Sequence, residues 1–151
     1  MTATDAAQLV RRWHDIWDLR APEIADSILA SDFVDHRFQA MIPDLPRGNE
    51  GVKQVARMAL EGSSEITTTI DDVFGTGDKI AASVTVRSTM TRDFHTPIGS
   101  VPATGRTMTW TQMEIFRVVD GLLVEHWEEV DLFAMLQQAG ATITGRTAQV
   151  G

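Results

Sequence analysis

Trp110, Gln112 and Glu114 stand at alternate positions, and Trp127, Glu129 and Asp131 do the same a little further on. Asp120-Gly121 lies between the two runs. Asp-Gly between apolar-rich runs marks a two-residue type I′ hairpin turn, because both residues tolerate positive φ. Counting outward from that turn pairs Glu114 with Trp127, Gln112 with Glu129 and Trp110 with Asp131. Alternate side chains of a strand share a face, so these residues are expected on one face of the hairpin. Thr111, Met113, Ile115, Val124, His126 and Val130 are expected on the other, and a β-bulge would exchange the faces of one strand. Tryptophans mixed with carboxylates and an amide suit neither water nor a plain core. They suit a pocket wall, with aromatic surface to hold an apolar ligand and a few polar groups to orient it or react with it.

Trp110, Trp127, Gln112 and Glu114 are therefore the expected substrate contacts. Asp131 can act as a general acid/base if burial beside Trp110 makes it less acidic. The competing role for Asp131 is to cap a helix starting at Leu132. His36, at the end of Asp32-Phe33-Val34-Asp35-His36, has the side chain whose ordinary pKa lies nearest neutrality; the alternative is a surface histidine beside an aspartate. Arg87, inside the alternating run Ile80–Met90, can pair with carboxylates or stabilise an enolate oxygen, or can simply face solvent. Trp17, one helical turn after Trp13, belongs to a core stripe and can also roof a pocket.

The elements that must position these groups follow from periodicity. Leu9, Val10, Trp13, Ile16 and Trp17 form one apolar stripe, which predicts a helix over 6–19. A short helix starts at Ala21-Pro22, where proline suits the first turn, and ends near Leu29. Residues 39–49 read as a loop, and 50–61 as a helix stopped by Gly62. From Glu65 onward the pattern is β: Ile66 to Phe74, a turn at Gly75–Asp78, Ile80 to Met90, a loop over 93–106, and the hairpin. A terminal helix over 132–138 precedes a small, polar stretch, 140–151, expected to be loose or to reach a neighbouring subunit. Helices first and strands after predict one α+β domain with the helices on one face of a curved sheet.

The chain has 151 residues, 43% of them hydrophobic, enough for one domain with a real core. Its 13 basic and 21 acidic residues give a net charge of −8, which argues against nucleic acid and anionic membranes as partners. Without cysteine there is no disulfide, thiolate nucleophile or Cys-based zinc site. No run of apolar residues is long enough for a membrane span and no signal core is evident, so a cytoplasmic protein is the expectation. The histidines show no metal-binding motif, and no metal or cofactor is expected. A face carrying Met113, Ile115, Val124 and Val130 is too apolar to leave in water, which predicts a homo-oligomer, most simply a dimer.

Trp17, Asp32-Phe33-Val34-Asp35-His36, Val101 to Arg106 and Ile115 to Asp131 together resemble the SnoaL-like polyketide cyclases of the nuclear transport factor 2-like superfamily. The resemblance implies a cone, a bent antiparallel sheet wrapped around a pocket and closed by helices, and oligomers built through the sheet. It implies an intramolecular aldol closure without cofactor or metal, with Asp131 at the position of the family's catalytic aspartate and His36 at that of a pocket-edge histidine. The limonene-type epoxide hydrolases are similar in outline; Arg87 and Asp131 would supply two members of their Asp-Arg-Asp arrangement. Aldol closure, isomerisation of the ketosteroid type and epoxide opening all fit acid/base groups acting on a small apolar compound. A binding module without chemistry fits the same fold.

Overall fold

The computed structural model describes residues 1–96 and 99–140. Helix α1 (Ala3–Asp18) opens with a capping box in which Thr2 and Asp5 bond each other's backbone. A 3-10 turn (Pro22–Ile24) and helix α2 (Ala25–Ile28) follow. Then come strand β1 (Leu29–Asp35), helix α3 (His36–Met41) and helix α4 (Asn49–Gly62). The rest is β2 (Ser63–Thr76), β3 (Lys79–Met90), β4 (Phe94–Thr96), β5 (Gly99–Val101), β6 (Thr107–Val119), β7 (Leu122–Val130) and the closing helix α5 (Leu132–Gln138). The expected loop over 93–106 thus contains a small two-stranded hairpin, β4–β5. The expected tail beyond Gly140 lies outside the described residues.

Five strands form one curved, open sheet in the order β1-β7-β6-β3-β2. All neighbours are antiparallel except β1, which lies parallel to β7. This is the α+β cone with its helices on one side. Ile80, Ala82, Val84 and Val86 of β3 are buried on the inner face, as their alternation predicts. They join Val10, Trp13 and Ile16 of α1, Phe33, and Val52 and Ala56 of α4 in a single core. Gly48 enters α4 with φ +77° and donates its N–H to Phe33 O at 2.8 Å, and a Cβ there would strike the carbonyl of Ser31. That close approach brings α4 against β1.

The turn at Asp120-Gly121 has φ of 50° and 78°, the positive pair of the expected type I′ turn. The register then departs from a regular hairpin. Val119 faces Leu122 and Val118 faces Leu123, but Arg117 faces Glu125. Val124 is a bulge, and beyond it every β7 residue is shifted by one. Glu114 therefore faces Glu128, not Trp127, and Phe116 faces His126. Trp127, Glu129 and Glu125 turn to the outer face and His126 turns inward, opposite to the expectation for a regular strand. Val130 faces Gln112 and so leaves the outer face. The exposed apolar residues there include Met113 and Ile115, in line with Phe74 through the pairs Ile115–Ala81 and Ala81–Phe74.

Candidate functional site

Because of the bulge, β6 and β7 present Gln112, Glu114, His126 and Glu128 to the interior. Helix α1 is fixed above them by two residues. Arg11 donates to Thr68 O at 2.9 Å, and Asp18 accepts from the backbone N and the hydroxyl of Thr68, each at 2.9 Å. This tie to β2 points one stripe of α1 at the sheet, and His14 lies in that stripe. Its Nε2 is 2.9 Å from Glu114 Oε2. From the other side β1 delivers Asp35 opposite His126, with Oδ2 at 2.7 Å from Nδ1. The second oxygen of Asp35 accepts from Phe38 N at 2.8 Å and so caps α3. That cap sets the start of α3, from which Arg37 reaches Glu128 Oε1 at 3.2 Å. Gln112 joins the halves: its amide N donates to Glu114 Oε1 at 3.1 Å and to Glu128 Oε2 at 2.9 Å, while its oxygen accepts from Trp110 Nε1 at 2.9 Å.

Three acids and three bases thus meet inside the sheet. His126 is 0% exposed, Glu114 2%, Asp35 3% and His14 4%. The Glu128 side chain is 8% exposed and that of Arg37 23%, so solvent reaches the cluster from their side. Aromatic rings surround it: Trp13 and Phe116 lie 4.6 and 4.5 Å from the His126 ring, and Trp17 stacks edge-on against Trp13 and Phe38.

The environment changes the acidities. Burial pushes the Glu128 carboxyl up to about 7; His126 and Arg37 oppose the rise, and Glu114 and Asp35 add to it. For His126 burial acts the other way, against the cation, but the bond to Asp35 and the charges of Asp35, Glu128 and Glu114 outweigh it. The imidazole is therefore more basic than usual. His126, Glu114 and Glu128 each offer a ligand atom, all within 4.8 Å of one another, a spacing that can enclose a metal ion. As the side chains stand, the amide N of Gln112 bridges the two carboxylates, and His14 and Arg37 hold their remaining oxygens. A largely apolar interior gains little stability from such groups, and titratable groups so placed mark a candidate site.

Of the residues expected at a site, Gln112 and Glu114 are in this cluster, Trp110 is bonded to it and Trp17 covers its helical side. The others are elsewhere. Trp127 is on the outer face, where His36 stacks on it at 4.5 Å and Lys79 lies 5.1 Å from its ring. His36 also bonds Glu125 at 3.2 Å. Arg87 is exposed on the outer face, 3.9 Å from Glu65 of β2 and not paired to the β6–β7 hairpin. Asp131 is exposed and caps α5 by accepting from Ala134 N at 2.9 Å, so Trp110 does not desolvate it. His14, Asp35, Arg37, His126 and Glu128 join the site unforeseen. A signal existed for His14, since Val10, Trp13, His14 and Trp17 fall at i, i+3, i+4 and i+7. For His126 and Glu128 only the bulge decides.

Two hollows lie away from the cluster. One of about 10 Å³, between Met90, Met108, Met135 and Leu136 under α5, has room for one water. The other is an open cleft beside Met1, Leu9, Asp120 and Gly121, at the turn end of the sheet.

The family model of the SnoaL-like polyketide cyclases matches residues 7–139, and the chain belongs to that family. The nuclear transport factor 2-like fold agrees. TsrD from Streptomyces laurentii superposes with a TM-score of 0.81 at 25% identity, over 94% of this chain and 99% of that one. IdmH from Streptomyces antibioticus, a candidate polyketide cyclase, superposes with a TM-score of 0.73 at 28% identity, over 89% and 98%. AclR from Streptomyces galilaeus, a candidate hydroxylase, shares the fold with a TM-score of 0.73 at 19% identity, over 92% and 98%. No curated protein matches the chain. None of the helices among the described residues is long and apolar enough to cross a membrane.

Proposed function

We propose that the protein is a cofactor-independent acid/base enzyme of cyclase or isomerase type. Its substrate is a small, largely apolar carbonyl compound, and the reaction is an intramolecular aldol closure. The family supports the class of reaction. The observation that carries the reading is Glu128: a carboxyl bonded by Arg37 and Gln112, with its pKa raised to about 7, on the side of the buried cluster that solvent reaches. A base with a pKa near the working pH takes a proton from carbon and returns it with the least loss either way. Trp110, Trp17 and Phe38 supply apolar surface around it.

Replacement of Glu128 by Gln keeps volume and hydrogen bonding but removes the base. Turnover, followed as loss of a linear poly-β-carbonyl chain, is expected to fall roughly 10²–10⁴-fold. Retention of turnover within tenfold by a folded Glu128→Gln protein removes Glu128 from the mechanism. Asp131, placed at the catalytic position by the family resemblance, is the second reading. Asp131→Asn tests it, because Asn caps a helix as well as Asp does but is no base.

A further inference from the structure

Ser88 is the polar member of an apolar row on the inner face of β3, with Ile80, Ala82, Val84 and Val86 before it and Met90 after it. It is 2% exposed, and its hydroxyl bonds no atom among the described residues. Ile66 of β2 and Met108 of β6 face it across the sheet. A hydroxyl left unpaired in such surroundings costs stability, and alanine would fill the place without that cost. Two of its neighbours, Met90 and Met108, are walls of the hollow under α5, and Met135 and Leu136 of the helix close it. Apart from Thr104, whose hydroxyl accepts from Arg106 N at 3.2 Å, the lining is thioether and hydrocarbon, which suits an apolar group better than a water. Helix α5 contributes no buried residue. Its polar ties are at its ends, the Asp131 cap and the bonds of Gln138 to Thr109. A cover so fastened, resting on unbranched methionines that repack readily, can lift. Trp110 packs against both this small cluster and the main core, and it bonds Gln112, which holds Glu128. Met108, Trp110 and Gln112 are alternate residues of one strand. The hollow and the acid/base cluster therefore lie in one row, with roughly 14 Å from Met108 to Gln112 at about 3.4 Å per residue.

We propose that the hollow under α5 is the closed form of a ligand subsite, which takes the apolar end of the substrate and bonds an oxygen on that end through the Ser88 hydroxyl. Opening moves α5 outward and parts Met90, Met108 and Met135, and the ligand then reaches Ser88 between the two strand methionines. The ligand class is an elongated apolar compound, on the order of 14 Å long, with a hydrogen-bond acceptor at the end remote from the reacting carbons. The bond to Ser88 sets how far the ligand enters, and so which of its carbons comes beside Glu128. The proposal rests on the acid/base reading for the other end of the ligand only; occupation of the hollow requires no turnover.

The probe is 6-propionyl-2-(dimethylamino)naphthalene, an apolar two-ring ketone whose emission moves to the blue when it leaves water. Its counterpart without the ketone is 2-(dimethylamino)naphthalene. Both are titrated into the whole chain. Wild type is expected to bind the ketone saturably with a blue shift. Ser88→Ala is expected to weaken ketone binding about three- to tenfold, the worth of one hydrogen bond, to leave binding of the counterpart unchanged, and to melt no lower than wild type. Leu136→Trp, which fills the hollow, is expected to weaken both probes at least tenfold. If Leu136→Trp does not fold, the ¹³C-methyl resonances of the methionines in wild type decide. Those of Met90, Met108 and Met135 are expected to shift on addition of the ketone, and those of the exposed Met58 and Met113 to stay. Glu128→Gln is expected to bind the ketone as wild type does. That separates the two readings, because the subsite survives even if Glu128 has no part in turnover. Absence of saturable binding, equal ketone binding by wild type and Ser88→Ala, equal loss of both probes in Ser88→Ala, unchanged binding by Leu136→Trp, or shifts at Met58 or Met113 in place of the three methionines of the hollow each overturns the proposal.

Discussion

Two adjacent pairs of residues, Asp35-His36 and Glu125-His126, build two histidine–carboxylate contacts, one on each face of the sheet. Inside, Asp35 meets His126 at 2.7 Å, with side-chain exposures of 2% and 0%. Outside, Glu125 meets His36 at 3.2 Å, with exposures of 23% and 40%. The groups are alike and the surroundings are opposite. The inner ring packs against Trp13 and Phe116, and its Nε2 is buried without a hydrogen-bond partner. The outer carboxylate is also bonded by Arg117, which holds its pKa below the ordinary value, and the outer ring lies on Trp127 in water's reach. Burial, not residue type, separates the inner pair from the surface contact.

The difference between the pairs can be measured by deleting each histidine. His126→Ala leaves Asp35 buried without its partner and is expected to destabilise the fold by about 3–5 kcal/mol in urea unfolding. His36→Ala is expected to stay within about 1 kcal/mol of wild type. Equal losses would erase the distinction.

Acidity sharpens the contrast. Glu128 has a folded pKa of about 7 against 4.5 for the free side chain. The folded state therefore holds its proton more tightly than the unfolded chain. The associated stability is complete below pH 4.5 and is lost as pH rises through about 7. Glu128→Gln removes this dependence. Relative to wild type it is expected to gain up to about 3 kcal/mol between pH 5 and pH 8. Unfolding curves of the two proteins that run parallel across this range would show that Glu128 is not perturbed. Glu125, the outer counterpart, is shifted downward, so Glu125→Gln is expected to produce no stabilisation over the same range.

The outer face supplies a further test. Met113 and Ile115 are 63% and 46% exposed in line with Phe74, and copies of the chain are expected to associate there. Ile115→Lys is expected to weaken self-association at least tenfold in sedimentation, with the melting temperature unchanged. A wild type already monomeric at micromolar concentration would sink this expectation. The smallest effect is expected at Asp131. Asp131→Asn keeps the cap on α5 and is expected to hold turnover within tenfold and stability within about 0.5 kcal/mol. Collapse of turnover at an unchanged melting temperature would move the chemistry from the inner pair to the end of β7.

The elements were legible in the sequence because their signals are local. The stripe from Leu9 to Trp17, the alternation from Ile80 to Val86 and the Asp-Gly turn each state their structure within a few residues. The family was legible for a related reason, since Asp32–His36 and Ile115–Asp131 are short continuous matches. The site was legible only on β6, where Trp110, Gln112 and Glu114 face inward as alternation requires. On β7 one unpaired residue, Val124, reverses the alternation and replaces Trp127 and Glu129 by His126 and Glu128. Nothing in Leu122 to Val130 marks that bulge, since no glycine or other local signal in the run singles out Val124. Asp35 was visible as a titratable residue, but its partner is 91 positions away and depends on β1 lying parallel to β7.

The closing helix has a role beyond covering Trp110. Strand β7 ends at Val130, and β6 continues toward Thr107 with no strand among the described residues on that side. Gln138 takes the place of the missing strand at Thr109, accepting from its N–H at 2.8 Å and donating to its C=O at 2.6 Å. One side-chain amide thus reproduces the two backbone bonds of a strand neighbour. A bare stretch of strand is a template for pairing with another molecule, the first step toward aggregates. By occupying Thr109, Gln138 ties helix α5 across that stretch of edge and keeps its backbone groups from pairing with another molecule.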